Sequence, residues 1–226
     1  YSNELEKEKV EILLNTEYTE KLAGDLRPDV VINATGAEFS RMIPGSDNSN
    51  VITAIEALNH PENVGQNVVI IGGGNTGCET AEFLSDGARE IKINRAKDFS
   101  GELEYDVIDV NDKKPKNVTI VEFFPQAGDK LGGMHKPIMD IKLETAGVRV
   151  MTSTKVVQIY EDGRVDVEGV TDGKKETLKA DTVILAGGMK PVKGYTGTDS
   201  VCIGDSKAVG KIETAIYDGY FTAREI

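Results

Sequence analysis

The chain has 226 residues, enough for one large domain or two small ones, with an ordinary 39% apolar content. Its 38 acidic residues against 26 basic ones give a formal charge of -12, which argues against nucleic acid and anionic membrane surfaces as partners because both repel such a chain at long range. No run approaches the roughly 18 apolar residues of a membrane span, and Cys78 and Cys202 form no CxxC pair, so a reducing, cytoplasmic setting without a structural metal is expected.

Read in chain order, strand and helix signals alternate. A charged helix over residues 2–7 leads into VEILLNT (10–16), whose aliphatic side chains predict a strand. TEKLAGDL (19–26) predicts a helical turn ending ahead of Pro28, and DVVINATG (29–36) predicts a buried strand closed by Gly36. After IPGSDNSN (43–50) a short helix is expected around residues 53–58, then a strand running into VVIIGGGNTG (68–77). Ala81, Phe83, Leu84 and Ala88 continue at helical spacing. Residues 91–117 are irregular and read as an insertion containing a small hairpin. VTIVEFF (118–124) predicts a strand and residues 136–146 a helix. GVRVMTS, KVVQIY and RVDVEGV, with a turn at 161–163, predict an antiparallel meander. DTVILAGG (181–188) repeats the strand-into-glycine design, and CIGDS (202–206) precedes a last helix over 213–225.

Gly72, Gly74 and Gly77 fit G-x-G-x-x-G, placed between a buried strand and an amphipathic helix. In a dinucleotide cradle Gly72 permits the tight turn, Gly74 lets the backbone approach a pyrophosphate, and Gly77 lets helix and strand pack closely. The N-H groups of the first helical turn, with Gly73 between the glycines, then hold the phosphates. Asn75 and Thr76 are expected to cap that helix and touch the ligand. Glu122, ending the next strand, is the acid expected to take the adenosine ribose hydroxyls, although the insertion sets it 50 positions beyond Gly72. Its charge, followed by Phe123 and Phe124 in place of arginine, predicts NADH over NADPH. Glu79 reads equally as a helix N-terminal acid and as a contact near the nicotinamide ribose. Cys78 reads as a small buried hydrophobe. Neither His60 nor His135 has a second histidine at ligand spacing, so no metal site is expected.

These motifs together resemble the two-dinucleotide-binding-domain flavoproteins, and within them the C-terminal half of old-yellow-enzyme-like NADH:flavin oxidoreductases of the 2,4-dienoyl-CoA reductase, enoate reductase and trimethylamine dehydrogenase group. VEILLNTEYT, PDVVINATGAEF and IPG are similar to the rear of that family's FAD domain, VVIIGGGNTGCETAEFL to its NAD(H) domain, LAGGMKP to the return from it, and CIGDS to its GD motif. The resemblance implies an α/β fold: a three-layer ββα Rossmann-like domain with a parallel sheet and an antiparallel meander, plus a partial FAD-type domain. The expected division is residues 1–50 with 189–226 as the FAD-type part and 51–188 as the NAD(H) part. Ala34, Thr35, Gly36, Gly204 and Asp205 are then implied for FAD, the glycine loop for NAD(H), and Gly187, in the turn that returns from the NAD(H) part, for cofactor binding.

The family's own first G-x-G-x-x-G, its flavin barrel and its iron-sulfur cysteines do not precede residue 10 here. The expectation is therefore a module of a longer flavoenzyme, whose partners are the remaining domains. The resemblance implies that in the parent NADH passes hydride to FAD for reduction of an unsaturated acyl-type substrate, and FMN and an iron-sulfur cluster are implied by the resemblance alone. Alone, the module is expected to hold FAD weakly or not at all and to be inactive. No catalytic triad or acid-base pair can be assembled, which fits hydride transfer between cofactors. The alternatives are a non-catalytic NAD(H)-sensing module and a disulfide-reductase-like enzyme without CxxC.

Overall fold

The computed structural model describes residues 2–85, 89–97, 102–109, 115–129, 131–197 and 199–226. In chain order the elements are α1 (Ser2–Lys7), α2 (Glu20–Leu26), β1 (Val31–Asn33), β2 (Ala37–Phe39), β3 (Val51–Thr53), α3 (Ala54–Asn59), β4 (Asn67–Ile71), α4 (Asn75–Ser85), β5 (Arg89–Lys97), β6 (Glu102–Asp109), β7 (Asn117–Val121), α5 (His135–Thr145), β8 (Arg149–Met151), β9 (Thr154–Ile159), β10 (Arg164–Gly169), β11 (Lys175–Lys179), β12 (Thr182–Leu185), β13 (Met189–Pro191), β14 (Ser200–Cys202) and α6 (Ile212–Glu225). They cluster into two compact units, one made of Tyr1–Glu38 with Lys190–Ile226 and the other of Phe39–Met189.

The second unit is built on a five-stranded parallel sheet in the order β3-β12-β4-β7-β8. Successive side chains of a strand face opposite ways, and here both faces are covered. Ile184, Ile70 and Ile120 stand in register across the sheet, are fully buried, and face α3, α4 and α5 with Cys78, Ala81 and Leu143. Val183, Val69 and Val121 point the other way, onto Ile159, Val165 and Val167 of the antiparallel layer β11-β10-β9. Removing each of these aliphatic side chains from water stabilises the fold by about 1.5–3 kcal/mol. The result is the expected ββα sandwich around a parallel sheet, with the core split by that sheet into two clusters.

Local chemistry fixes the ends. Thr53 and Glu56 form a capping box on α3: Glu56 N donates to Thr53 Oγ1 at 3.2 Å and Thr53 N donates to Glu56 Oε2 at 2.7 Å. These bonds, the backbone one foremost, hold the Glu56 carboxyl below its ordinary range. The insertion contains the antiparallel pair β5-β6, offset by a bulge between Ile93 and Arg95; its positions 98–101 and 110–114, and the expected helical position Ala88, lie outside the described residues.

The first unit holds the parallel pair β1-β14, with Asn33 opposite Cys202. Ser206 Oγ donates to Asn33 O at 2.7 Å, and Asn33 Nδ2 donates to Tyr195 O at 2.7 Å, so the buried Asn33 ties the pair to two loops. Tyr18 and Tyr195 meet edge to face at 5.3 Å.

Three expectations differ. Residues 10–16 form no strand: Val10, Ile12, Leu13 and Leu14 are exposed and pair with nothing in the ladders. Residues 149–151 are not part of the meander, because β8 joins the edge of the parallel sheet beside β7 and the third meander strand is β11. Residues 39–50 cluster in the second unit, where Asn48 and Asn50 donate to the carbonyls of Ile159 and Tyr160 and Ile159 N donates to Pro44 O.

Candidate functional site

β12, β4 and β7 run parallel and end side by side, at Leu185, Ile71 and Val121. In an open α/β sheet this carboxyl edge is where a crevice forms for a ligand. A cavity of about 620 Å³ lies there, lined by Gly72 and Gly74, by Glu122 and Phe123, and by Gly187 and Gly188.

The three fingerprint glycines have distinct local reasons. Gly72 has φ +101°, and a Cβ on it would stand 2.9 Å from the Gly187 backbone, so the two strand-ending turns touch only because both lack side chains. At Gly77 a Cβ would stand 1.9 Å from Gly72 O, which makes glycine the residue that lets α4 start directly behind the loop. Gly74 is different, because a Cβ there meets nothing within 4 Å. Space is free above its backbone on the side that lines the cavity.

Glu122 is 7% exposed, and its carboxylate is the organiser of the loop. Its Oε2 accepts from Gly73 N at 2.5 Å and its Oε1 accepts from Phe124 N at 2.8 Å. Gly73 O in turn accepts from Gly128 N at 2.6 Å, so the segment after β7 folds back over the glycines. The N-H groups at the start of α4 lack intrahelical acceptors and lie at the positive end of its dipole. Together the arrangement can receive an anion at α4, a hydroxyl-bearing ring at Glu122 and a flat group beside Phe123 and Phe124, which meet edge to face at 5.4 Å.

Of the expected site residues, the structure gathers Gly72, Gly73, Gly74, Glu122 and Gly187 around this cavity. α4 begins at Asn75, so Asn75 and Thr76 are exposed first-turn residues and not caps. Glu79, exposed, is the fifth residue of α4, one turn in from the end whose dipole it was expected to complement. In the other unit Gly36 has φ +74° and its carbonyl accepts from Val192 N at 3.0 Å, Thr35 Oγ1 donates to Val192 O, and Ala34 is exposed. Gly204 has φ +57°, and Asp205 Oδ1 accepts from Gly210 N at 2.9 Å, so this carboxylate shapes its own turn.

The cysteines do not supply a redox pair. Cys78 is buried, donates to Gly73 O at 3.4 Å, and has its thiol pushed up to about 11 by that burial, which keeps it protonated at neutral pH. Cys202 belongs to the first unit, and both are free.

Sequence reading passed over Thr154 and Lys155 of β9, which also line the cavity. Thr154 N donates to Glu122 O and Ser153 N to Phe124 O, each at 2.9 Å, so β9 enters alongside the chain leaving β7. That contact spans some 30 positions and has no local signal; the exposed pair Phe123-Phe124 directly after Glu122 does have one.

A family model described as pyridine nucleotide-disulphide oxidoreductase matches residues 1–202. The chain is 28% identical to the NADH oxidase of Thermoanaerobacter brockii over 235 residues, covering 99% of this chain and 32% of that one. It is 27% identical to the cinnamate reductase of Clostridium sporogenes over 224 residues, covering 96% of this chain and 29% of the relative. Among solved structures, a 2-naphthoyl-CoA reductase in complex with 2-naphthoyl-CoA superposes on all of the chain with a TM-score of 0.75 at 27% identity, over 31% of its own length. The chain thus spans about a third of the length of the relatives it matches.

Proposed function

The chain belongs to the pyridine nucleotide-disulphide oxidoreductase family, whose domains bind FAD and NAD(P), and from that premise we propose that residues 39–189 are the NADH module of a longer flavin-dependent oxidoreductase. The observation that carries the reading is the Gly73-Glu122 bond at the carboxyl edge of the parallel sheet, beside the open backbone of Gly74. The residues fit a dinucleotide: α4 offers N-H groups to a pyrophosphate, Gly74 leaves its backbone uncovered, and Glu122 has acceptor capacity left for ribose hydroxyls, since each carboxylate oxygen can take more than one hydrogen bond.

NADH, when bound, supplies a hydride, and FAD is the acceptor this reading assigns. The chain's own part is to bind and orient. Glu122 fixes the loop before the ligand arrives, so less ordering accompanies binding, and its negative charge disfavours a 2′-phosphate. Phe123 and Phe124 cover one side of the cavity with apolar surface. Ala34, Thr35, Gly36, Gly204 and Asp205 are proposed for the FAD side, where a Cβ on Gly36 would meet nothing within 4 Å, while the turn at Gly204 packs against Ala215. Two relatives are named for reducing cinnamate and 2-naphthoyl-CoA, which favours an unsaturated acyl-type substrate for the parent.

The test is an equilibrium titration of the chain with NADH and NADPH, joined to NADH-dependent dye reduction by the full-length parent. Tighter binding of NADH and turnover in the parent are expected. Binding without any turnover would favour a sensing module, and equal affinity for both nucleotides would remove the discriminating role given to Glu122.

A further inference from the structure

We infer that Glu168 is a specificity-determining residue of the dinucleotide cavity: by holding Lys155 in an ion pair it denies a 2′-phosphate the cation it would need. The inference rests on the reading of this cavity as the dinucleotide site.

Lys155 lines the cavity together with Glu122, Phe123 and Phe124. It follows Thr154, whose N-H is bonded to the Glu122 carbonyl, so it stands next to the residue that reads the adenosine ribose under the proposal. Among the described lining residues Lys155 carries the positive charge, against Glu122 and Asp129. Lys155 and Glu168 face each other directly across β9 and β10, and Lys155 Nζ lies 3.1 Å from Glu168 Oε1. Side-chain exposure is 46% for the lysine and 25% for the glutamate, so the acid is the better anchored partner and the ammonium the one able to swing.

Two opposite charges 3.1 Å apart present a much weaker field to the cavity than a lone ammonium does. A 2′-phosphate, with nearly two negative charges and three acceptor oxygens, is the group such a field would attract. NADH has only hydroxyls at that end and gains little from a freed lysine. Glu122 therefore does not carry the discrimination alone, since two backbone N-H bonds already offset part of its charge. Glu168 acts at a distance from the ligand, through Lys155, and no residue near it in sequence marks the role.

The experiment titrates the chain and its variants Glu168→Gln, Lys155→Met and Glu168→Gln/Lys155→Met with NADH and with NADPH at low ionic strength, following nucleotide fluorescence. Glu168→Gln is expected to bind NADPH about fivefold tighter while NADH stays within about twofold, as suits the loss of one partly exposed pair. The gain should vanish in the double variant and fade in about 0.5 M salt. Glu168→Ala removes the same charge without an amide and must behave alike, which guards against a folding defect in one variant. Tighter binding of both nucleotides to the same extent would overturn the inference, placing Lys155 at the pyrophosphate. Unchanged NADPH affinity with NADH binding intact would overturn it as well. Failure of the unaltered chain to bind either nucleotide would instead overturn the reading on which it rests.

Discussion

Gly73 donates its N-H to the carboxylate of Glu122 at 2.5 Å, across 49 positions of sequence. The bond joins the glycine loop after β4 to the end of β7, and the second oxygen holds Phe124 N. Glu122→Ala would leave two N-H groups without acceptors in a largely buried setting. The expected result is a loss of about 2–3 kcal/mol in urea unfolding with an unchanged slope, together with NADH affinity lower by about tenfold or more. Unaltered stability would show that the loop holds its shape by other means.

Two glycines separate packing from ligand approach. Gly77→Ala drives a Cβ to 1.9 Å from the Gly72 carbonyl and should cost about 3 kcal/mol or more, read in the same unfolding experiment. At Gly74 the added methyl meets nothing, so Gly74→Ala should stay within about 0.5 kcal/mol of the parent. It should nevertheless weaken NADH binding by about tenfold, because the methyl stands where the pyrophosphate comes closest to the backbone. Normal NADH binding by Gly74→Ala would place the ligand elsewhere.

Cys78 makes a pH prediction. Burial raises its thiol from 9.0 to about 11, so the folded state favours the protonated form. The stabilisation this gives is complete below pH 9 and is lost as pH rises towards 11. The stability difference between the parent chain and Cys78→Ala should therefore hold steady from pH 7 to 9 and narrow above it. At pH 8 a thiol reagent should label Cys78 only at the rate at which the fold opens; rapid labelling in the native state would contradict its protonated, packed condition.

The capping box on α3 behaves oppositely. Glu56 is held below its ordinary value of 4.5, chiefly by the Thr53 backbone bond, so it contributes stability above that pH which is lost as pH falls through its lowered value. Thr53→Ala should cost about 1 kcal/mol at pH 7. Glu56→Gln should differ from the parent chain at neutral pH and converge with it in acid, as followed by thermal melts from pH 7 to 3.

Much of this was legible because the deciding patterns are local. The unbroken apolar run Val68, Val69, Ile70, Ile71 leading into Gly72 already specifies a strand buried on both faces and a turn after it. Residues 149–151 could not be placed the same way, since GVRV and KVVQIY have the same alternation and only hydrogen bonding with β7, a distant partner, makes the first parallel and the second part of a meander. VEILLNT has strand propensity without a partner strand, and propensity yields where no ladder forms. The three-residue strands β2, β3 and β13 are too short to show a period. Lys155 and Thr154 were hidden for a further reason: their place in the cavity follows from β9 lying against the chain after β7.

If the glycine loop, Glu122 and the Gly187 turn form one dinucleotide site, NADH must perturb all three together, and backbone-amide NMR of the isotopically labelled chain titrated with NADH reads each of them. The largest shift changes are expected at Gly73, Gly74, Asn75 and Thr76, at Phe123 and Phe124, and at Gly187. Largest changes outside these positions, or none at about millimolar NADH, would contradict a shared site.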